Sequence, residues 1–383
     1  MPNKYHIGII ITGLGGGGAE RVLNTLARDW DRKGYKVSIF VLTRTDDAYG
    51  TKDFAKVRIS KLGSFSNVLM RYVSLPFQSF EWVRFIKKQK CDIYFSILVR
   101  ANLANLIAKY IATTHISVVS ERSSSATYLS GKMQYGGLGG YLMGMYRKAD
   151  RAIPISAGLV PELESWGVAN NRISVIHNPT DIAEVQRLAK EKSDAESERN
   201  QNDRFRFVTV GRMVPQKGQE ILIEAFSDVV KGSNKNVELH IIGNGVLRVT
   251  LEKQVISLGL QENIRFWGHL DNPFRVMGAM DCFVFSSRHE GFGNVLVEAM
   301  ACGLPVISTN CPSGPSEILT DGKEGYLTKV DDVDGLSSAM CKLLSDPGTR
   351  ERMSSNALKR AWDFDVSKVS AEYINTLGSA FGE

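Results

Sequence analysis

Residues 288–307 read RHEGFGNVLVEAMACGLPVI. Two carboxylates, Glu290 and Glu298, bracket a Gly-Phe-Gly-Asn bend, and Glu298 then stands in an otherwise apolar segment. Upstream, CFVFSS (282–287) has the composition of a short core strand, and PVIST (305–309) is the next one. Between them VLVEAMACG has the character of a helix opened by a glycine bend. Free amides of Gly293, Asn294 and Val295 would point out of that helix start, where an anion is favoured. Glu298, set among Val, Leu, Ala and Met, needs hydrogen-bond donors, because an unpaired buried carboxylate is costly. A sugar diol offers two hydroxyl donors to one carboxylate. Pairing with a core cation is the purely structural alternative.

The strand–helix rhythm extends in both directions. HIGIIIT (6–12), KVSIFVL (36–42), DIYFSIL (92–98), HISVVS (115–120) and RAIPIS (151–156) read as strands in the first half. FRFVTVGR (205–212), VELHIIGNG (237–245), IRFWGHL (264–270), CFVFSS, PVIST and GYLTKV (325–330) read as strands in the second. Helix-period segments such as 19–34, 101–113, 218–230 and 247–258 separate many of them. Residues 181–204 are polar and nearly devoid of large apolar side chains, the pattern of a linker with a helical start. This α/β pattern predicts two Rossmann-like halves and a cleft, with ligands outside the carboxyl ends of the strands.

Composition narrows the class. At 383 residues the chain is long for one domain, and 43% hydrophobic with 23% charged residues is globular. No apolar run approaches the roughly 20 residues that span a bilayer, and MPNKYHIGIIITG reads as a first core strand and not as a signal peptide. Five cysteines without a CxxC pair point to reduced, buried thiols and give no metal-site spacing. The net charge of +6 is uneven: residues 1–180 hold 24 Lys and Arg against 12 Asp and Glu, and residues 181–383 hold 23 against 29. A basic first half suits phosphates, nucleic acid or an anionic membrane.

Two further stretches carry chemistry. TGLGGGGAE (12–20) follows the first strand and opens a helix, so its glycines let backbone approach an anion; contact with a phosphate or the acceptor is favoured over a tight turn without a ligand. In VTVGRMVPQKGQEILIEAF (208–226), Arg212 and Lys217 are two cations in one loop before a helix, able to clamp a diphosphate. Glu290 and Glu298 as a glycosidase acid pair are disfavoured, because two acids on one loop and its helix line only one side of a ligand. Nucleic-acid binding would leave the glutamate block without a purpose.

The segments GRMVPQKG, IIGNG, RFWGHL, SSRHEGFGNVLVEAMACGLPVIST, CPSGPSEIL and GKEGYL, with GGGAERVL, IPISAGLV and VIHNP, closely resemble those of retaining family 4 glycosyltransferases, in that family's order. The resemblance covers nearly the whole chain. It implies a GT-B fold: an N-terminal acceptor domain (1–180), a linker (181–204), a nucleotide-sugar domain (205–362) and a C-terminal helix (363–383) returning to the N-domain. It implies a UDP-sugar donor, a hexose or N-acetylhexosamine as the group transferred, and no metal or cofactor. By the same resemblance Glu298 binds the ribose and Glu290 the donor sugar, while Arg212 and Lys217 neutralise the diphosphate. Amides from Phe292 through Gly293, Asn294 and Val295 hold the distal phosphate, with Gly16, Gly17 and Gly18 closing over it. The backbone of Gly268, His269 and Leu270 holds the base, with Gly243 in the same donor group. Arg100, Asn102, Arg122 and Lys132 are the expected acceptor-binding residues, and Glu121 joins the catalytic set where many relatives carry a histidine.

DVD (332–334) and DFD (363–365) mimic a metal-binding DxD but read as structural, the first as a helix cap. In PFQSFEWVRFIKKQK (76–90), Phe80, Val83 and Ile86 have core-facing spacing, leaving Trp82, Phe85, Arg84, Lys87 and Lys88 as a basic aromatic flank. Tyr128, Tyr135, Tyr141 and Tyr146, with Lys132, Arg147 and Lys148, form a second such stretch. Together with the basic first half these favour an acceptor linked to a lipid pyrophosphate such as undecaprenyl pyrophosphate. They place the protein in the cytoplasm, peripheral to the inner face of the plasma membrane. A sugar-nucleotide epimerase on the same scaffold, or a non-catalytic nucleotide-sugar-binding subunit, are the alternatives.

Overall fold

The computed structural model describes residues 4–15, 17–43, 57–62, 68–112, 116–123, 137–193, 195, 204–233 and 236–380. The chain forms two compact units, one made of residues up to Pro179 and from Val366 onward, the other Thr180–Asp365.

The first unit carries six parallel strands: β1 (His6–Ile11), β2 (Lys36–Val41), β3 (Val57–Ile59), β4 (Ile93–Ile97), β5 (Ile116–Glu121) and β6 (Arg151–Pro154). Their order is β3-β2-β1-β4-β5-β6. Every residue of β1 is buried, as a strand covered on both faces requires. Strand β3 was not anticipated: three residues are too few to show a period. The C-terminal helix Val366–Ser379 belongs to this unit and packs on the helix Gly18–Arg32. Val369, Tyr373 and Leu377, one turn apart, are buried in its core, with the Tyr373 ring 5.8 Å from Phe95 and 6.3 Å from Trp30.

The second unit carries β7 (Phe205–Val210), β8 (Val237–Ile242), β9 (Ile264–Gly268), β10 (Cys282–Phe285), β11 (Val306–Thr309) and β12 (Gly325–Thr328). The order β12-β11-β10-β7-β8-β9 makes it a second doubly wound parallel sheet. Its first and last residues meet: Thr180 N–H donates to the Phe364 carbonyl at 2.9 Å, and Thr180 bridges Asp365. Within the segment read as a linker, Ile182–Ala189 is a regular helix of this unit, capped by Asp181 and packed on the helix Phe274–Met277. Only Ile182 and Val185 of it are buried, which is why its polar composition resembled a linker.

Three aromatic assignments at 76–90 reverse. Trp82 and Phe85 are core residues at 0% and 3% exposure, whereas Phe80 is 52% exposed. Helix phase decides this: Trp82, Val83, Phe85 and Ile86 share the sheet-facing side, and the aromatic rings of Phe40, Trp82 and Phe85 cluster there. Tyr146 is likewise buried at 0%, and Tyr141 is exposed. Tyr128, Tyr135 and Lys132 lie outside the described residues.

Candidate active site

In the second sheet the chain lays down β7, β8 and β9 in one direction, then starts again at β10 on the other side of β7. The β7/β10 boundary is therefore the switch point, where the loops leaving neighbouring strands diverge and leave a crevice. Lys217 comes from the loop after β7 and Glu290 from the loop after β10. They meet there as an ion pair, Nζ to Oε1 at 2.5 Å, with side chains 17% and 12% exposed. The Lys217 ammonium also lies 5.3 Å from the centre of the Phe285 ring.

These two loops are tied together along their length. Arg288 N–H donates to the Gln216 carbonyl at 2.8 Å, and the Gln216 amide to the His289 carbonyl at 2.7 Å. Ser286 Oγ donates to the Lys217 carbonyl at 2.9 Å, and Arg288 Nη1 to that of Pro215 at 2.5 Å. Arg288 also pairs with Glu220 and Asp331 at 2.6 and 2.8 Å. Gly218 permits this approach: its φ is +59°, and a Cβ there would stand 2.3 Å from the Ser286 carbonyl oxygen. Sequence reasoning gave Arg288, Gln216 and Ser286 no role, because their partners are carbonyls and distant acids that no local pattern reveals.

Arg212, in the same loop, is exposed, and its guanidinium makes no ion pair among the described residues. Glycine again sets the walls. Gly243 (φ +133°) follows β8, and a Cβ there would lie 2.0 Å from the Gly211 carbonyl oxygen. Gly268 ends β9 with its carbonyl accepting from Gly243 N–H at 2.7 Å; beyond it His269 is exposed and Leu270 half-buried. All of these lie at the carboxyl edge of one sheet.

The helix Asn294–Ala301 starts at Gly293 (φ +100°) with no side-chain cap, and Leu296 N–H donates to the Gly293 carbonyl at 2.9 Å. Phe292 anchors the bend, 2% exposed and edge-on to Phe364 at 5.6 Å. Asn294 and Val295 are half-buried, and so is Glu298 one turn on. Glu298 is thus less enclosed than its apolar neighbours suggested, because it lies on the helix side opposite the buried Leu296 and Met300. Burial, with the charge of Glu298 second, pushes the Cys302 thiol up to about 12.

The first unit presents its own set. Its switch point lies between β1 and β4. The glycine loop follows β1; Gly17 caps the helix Gly18–Arg32 and both are exposed, while Gly16 lies outside the described residues. After β4, Leu98 holds φ +78° and ψ 146°, a conformation costing about 1–3 kcal/mol for a residue with a side chain. Arg100, the second residue of the helix Val99–Ile111, is buried and donates to Thr43 Oγ1 (2.7 Å), Gln78 Oε1 (2.8 Å) and the Arg71 carbonyl (3.2 Å). Asn102 is fully buried, its amide donating to Glu121 Oε1 at 2.6 Å and to the Ser120 carbonyl at 3.0 Å. Tyr146 OH donates to the same Glu121 oxygen. Burial pushes the Glu121 carboxyl up to about 7, against the opposing pull of both hydrogen bonds. Arg122 is 7% exposed, donates to Asn178 Oδ1 at 2.5 Å, and lies 6.0 Å from the Tyr373 ring.

Asp332 of DVD caps the helix Val333–Ser345 by accepting from Gly335 N–H at 2.8 Å. In DFD, Asp363 pairs with Arg360 at 2.9 Å, and Asp365 is buried. No group of three or more metal-ligating side chains occurs among the described residues.

Known proteins match this chain along its length. Residues 16–184 match the family model described as Glycosyltransferase Family 4, and residues 190–360 that described as Glycosyl transferases group 1. One relative, the N-acetylgalactosamine-N,N'-diacetylbacillosaminyl-diphospho-undecaprenol 4-alpha-N-acetylgalactosaminyltransferase of Campylobacter jejuni, is 27% identical over 97% of this chain and 99% of its own. The lipopolysaccharide core biosynthesis glycosyltransferase LpsE of Rhizobium meliloti is 26% identical over 95% and 96%. Among solved structures, Anabaena HepE in complex with UDP shares the fold with a TM-score of 0.82, at 22% identity over 98% of this chain and 100% of its own.

Proposed function

The chain belongs to the family 4 glycosyltransferases of the GT-B fold, and from that premise we propose that it moves a hexose or N-acetylhexosamine from a UDP-sugar to a glycan acceptor on a lipid pyrophosphate, with retention at the anomeric carbon. The observation that carries the reading is the Lys217–Glu290 pair at the β7/β10 switch point, close in sequence to the uncapped helix start at Gly293. In the donor complex Lys217 and Arg212 neutralise the diphosphate, and the amides of Gly293, Asn294 and Val295 hold its distal phosphate. Glu290 accepts hydrogen bonds from the sugar hydroxyls, and Glu298 takes the ribose diol. The half-exposure of Glu298 supports that role, since a fully enclosed carboxylate would have no room for a ribose.

The reaction breaks the bond between the sugar C1 and the terminal UDP phosphate oxygen and forms one from C1 to the acceptor oxygen. The acceptor proton passes to the leaving phosphate on the same face. Negative charge grows on that phosphate in an oxocarbenium-like transition state, so preorganised cations and amides supply most of the stabilisation. No metal is required in this scheme. The name of the Campylobacter relative, with its diphospho-undecaprenol, supports a lipid-linked acceptor and work at a membrane face.

The test incubates the protein with individual UDP-sugars and short polyprenyl-pyrophosphate-linked glycans, with product linkage read by NMR. An α-linked product from an α-linked donor, formed in the presence of EDTA, is expected. Inversion, or hydrolysis without transfer, overturns the reading.

A further inference from the structure

The helices Val68–Val73 and Leu75–Gln89 run on through Ser74: Ser74 N–H donates to the Met70 carbonyl at 3.0 Å, and Gln78 N–H to that of Ser74 at 3.1 Å. Pro76 removes one bond of the ladder, the one to Tyr72, and the helical path continues. Along this path Met70, Val73, Phe77, Phe80, Arg84 and Lys87 recur at spacings of three and four, with Lys88 beside Lys87. They fall within an arc of about 100° and extend roughly 27 Å from Met70 to Lys88. All face outward: Met70 is 44% exposed, Val73 53%, Phe77 67% and Phe80 52%. The opposite side, with Trp82, Val83, Phe85 and Ile86, is core.

Single exposed apolar residues are ordinary, but four successive ones on a stripe that continues into three cations are not. The Arg84 guanidinium lies 5.8 Å from the Phe80 ring, joining the two halves of the stripe. The acid of this helix, Glu81, is turned aside and accepts from Ser60 Oγ and Lys61 N–H at 2.6 and 3.3 Å. Apolar side chains followed by cations that make no ion pair among the described residues match the acyl boundary and the phosphates of an anionic bilayer in turn.

We propose that this stripe docks the first unit on an anionic lipid surface, Met70, Val73, Phe77 and Phe80 entering the interface while Arg84, Lys87 and Lys88 pair with lipid phosphates. The proposal deepens the lipid-linked-acceptor reading and is tested without the reaction. Flotation is measured with vesicles of phosphatidylglycerol and phosphatidylcholine, and with phosphatidylcholine alone, for wild type, Phe77→Ser/Phe80→Ser and Arg84→Gln/Lys87→Gln/Lys88→Gln. Each cation near an anionic surface is worth roughly fivefold in partitioning, so the triple variant should bind about a hundredfold more weakly. Wild-type binding should fall with salt, and the phenylalanine variant should lose vesicles of both kinds. Val246→Ser/Val249→Ser, two exposed apolar residues of the second unit, should change nothing. Wild type that ignores phosphatidylglycerol, or variants that float like wild type, would overturn the proposal. So would a wild-type dimer that dissociates in the phenylalanine variant, since it would give the stripe to a second copy. UDP-induced thermal stabilisation, read in the same samples, reports the donor site independently, so the two readings fail separately.

Discussion

Glu121 is a buried carboxyl whose environment opposes its own ionisation, and Glu121→Gln isolates that effect. The amide keeps an oxygen where Asn102 Nδ2 and Tyr146 OH donate, and removes the charge. Burial raises the carboxyl from 4.5 to about 7, with Glu162 adding to the rise and Arg122 opposing it. The folded state therefore binds more protons than the unfolded state between those values. Stability from this group is complete below 4.5 and is lost as the pH rises through 7. Integrating the two titrations from pH 5.5 to 8.0 gives a loss of about 2 kcal/mol in wild type that the variant escapes. The two units need not unfold together, so a single melting curve is a poor reading. Hydrogen exchange of peptides from β4 and β5 across a urea series at both pH values follows the first unit alone. The stability of Glu121→Gln relative to wild type should rise by about 2 kcal/mol on going from pH 5.5 to 8.0, whichever protein is the more stable at pH 5.5. A difference that is constant with pH, or that shifts towards wild type, would refute the buried-acid account.

Other consequences are as direct. Lys217→Ala and Glu290→Gln each remove half of the switch-point pair, and transfer rates should fall about 10²–10³-fold in a donor-saturated assay, because preorganised charge at the leaving group is lost. Retained activity in Lys217→Ala would displace the diphosphate role. Gly218→Ala places a methyl 2.3 Å from the Ser286 carbonyl at φ +59°, so the second unit should lose at least about 2 kcal/mol in urea denaturation. Asp332→Ala removes a helix cap and should cost about 1 kcal/mol while leaving transfer unchanged; lost activity would return DVD to the site.

The doubly wound sheets were legible because parallel strands buried on both faces write themselves as short apolar runs, as in HIGIII and FRFVTV. Glu290, Glu298, Arg212 and Lys217 were legible as a group because glycine bends and polar residues interrupt those runs in the loops that follow. Helix phase was not: at 76–90 aromatic residues occupy both sides, and only packing shows that Trp82 is core and Phe77 is not. The half-exposure of Glu298 and the carbonyl contacts of Arg288 depend on tertiary approach, which residue spacing does not encode. The Asn102–Glu121–Tyr146 cluster joins positions up to 44 apart, so its members were singled out separately and no local pattern showed that they meet.

The account rests on a UDP-sugar site in the second unit, and a thermal-shift titration with UDP, GDP, ADP and NAD on wild type and Glu298→Ala tests it most directly. UDP at a hundred times its dissociation constant should stabilise wild type by about 2.7 kcal/mol, and the variant should lose that response with its unliganded melting temperature little changed. Stabilisation by NAD instead, by no nucleotide, or equally by UDP in both proteins would contradict the account.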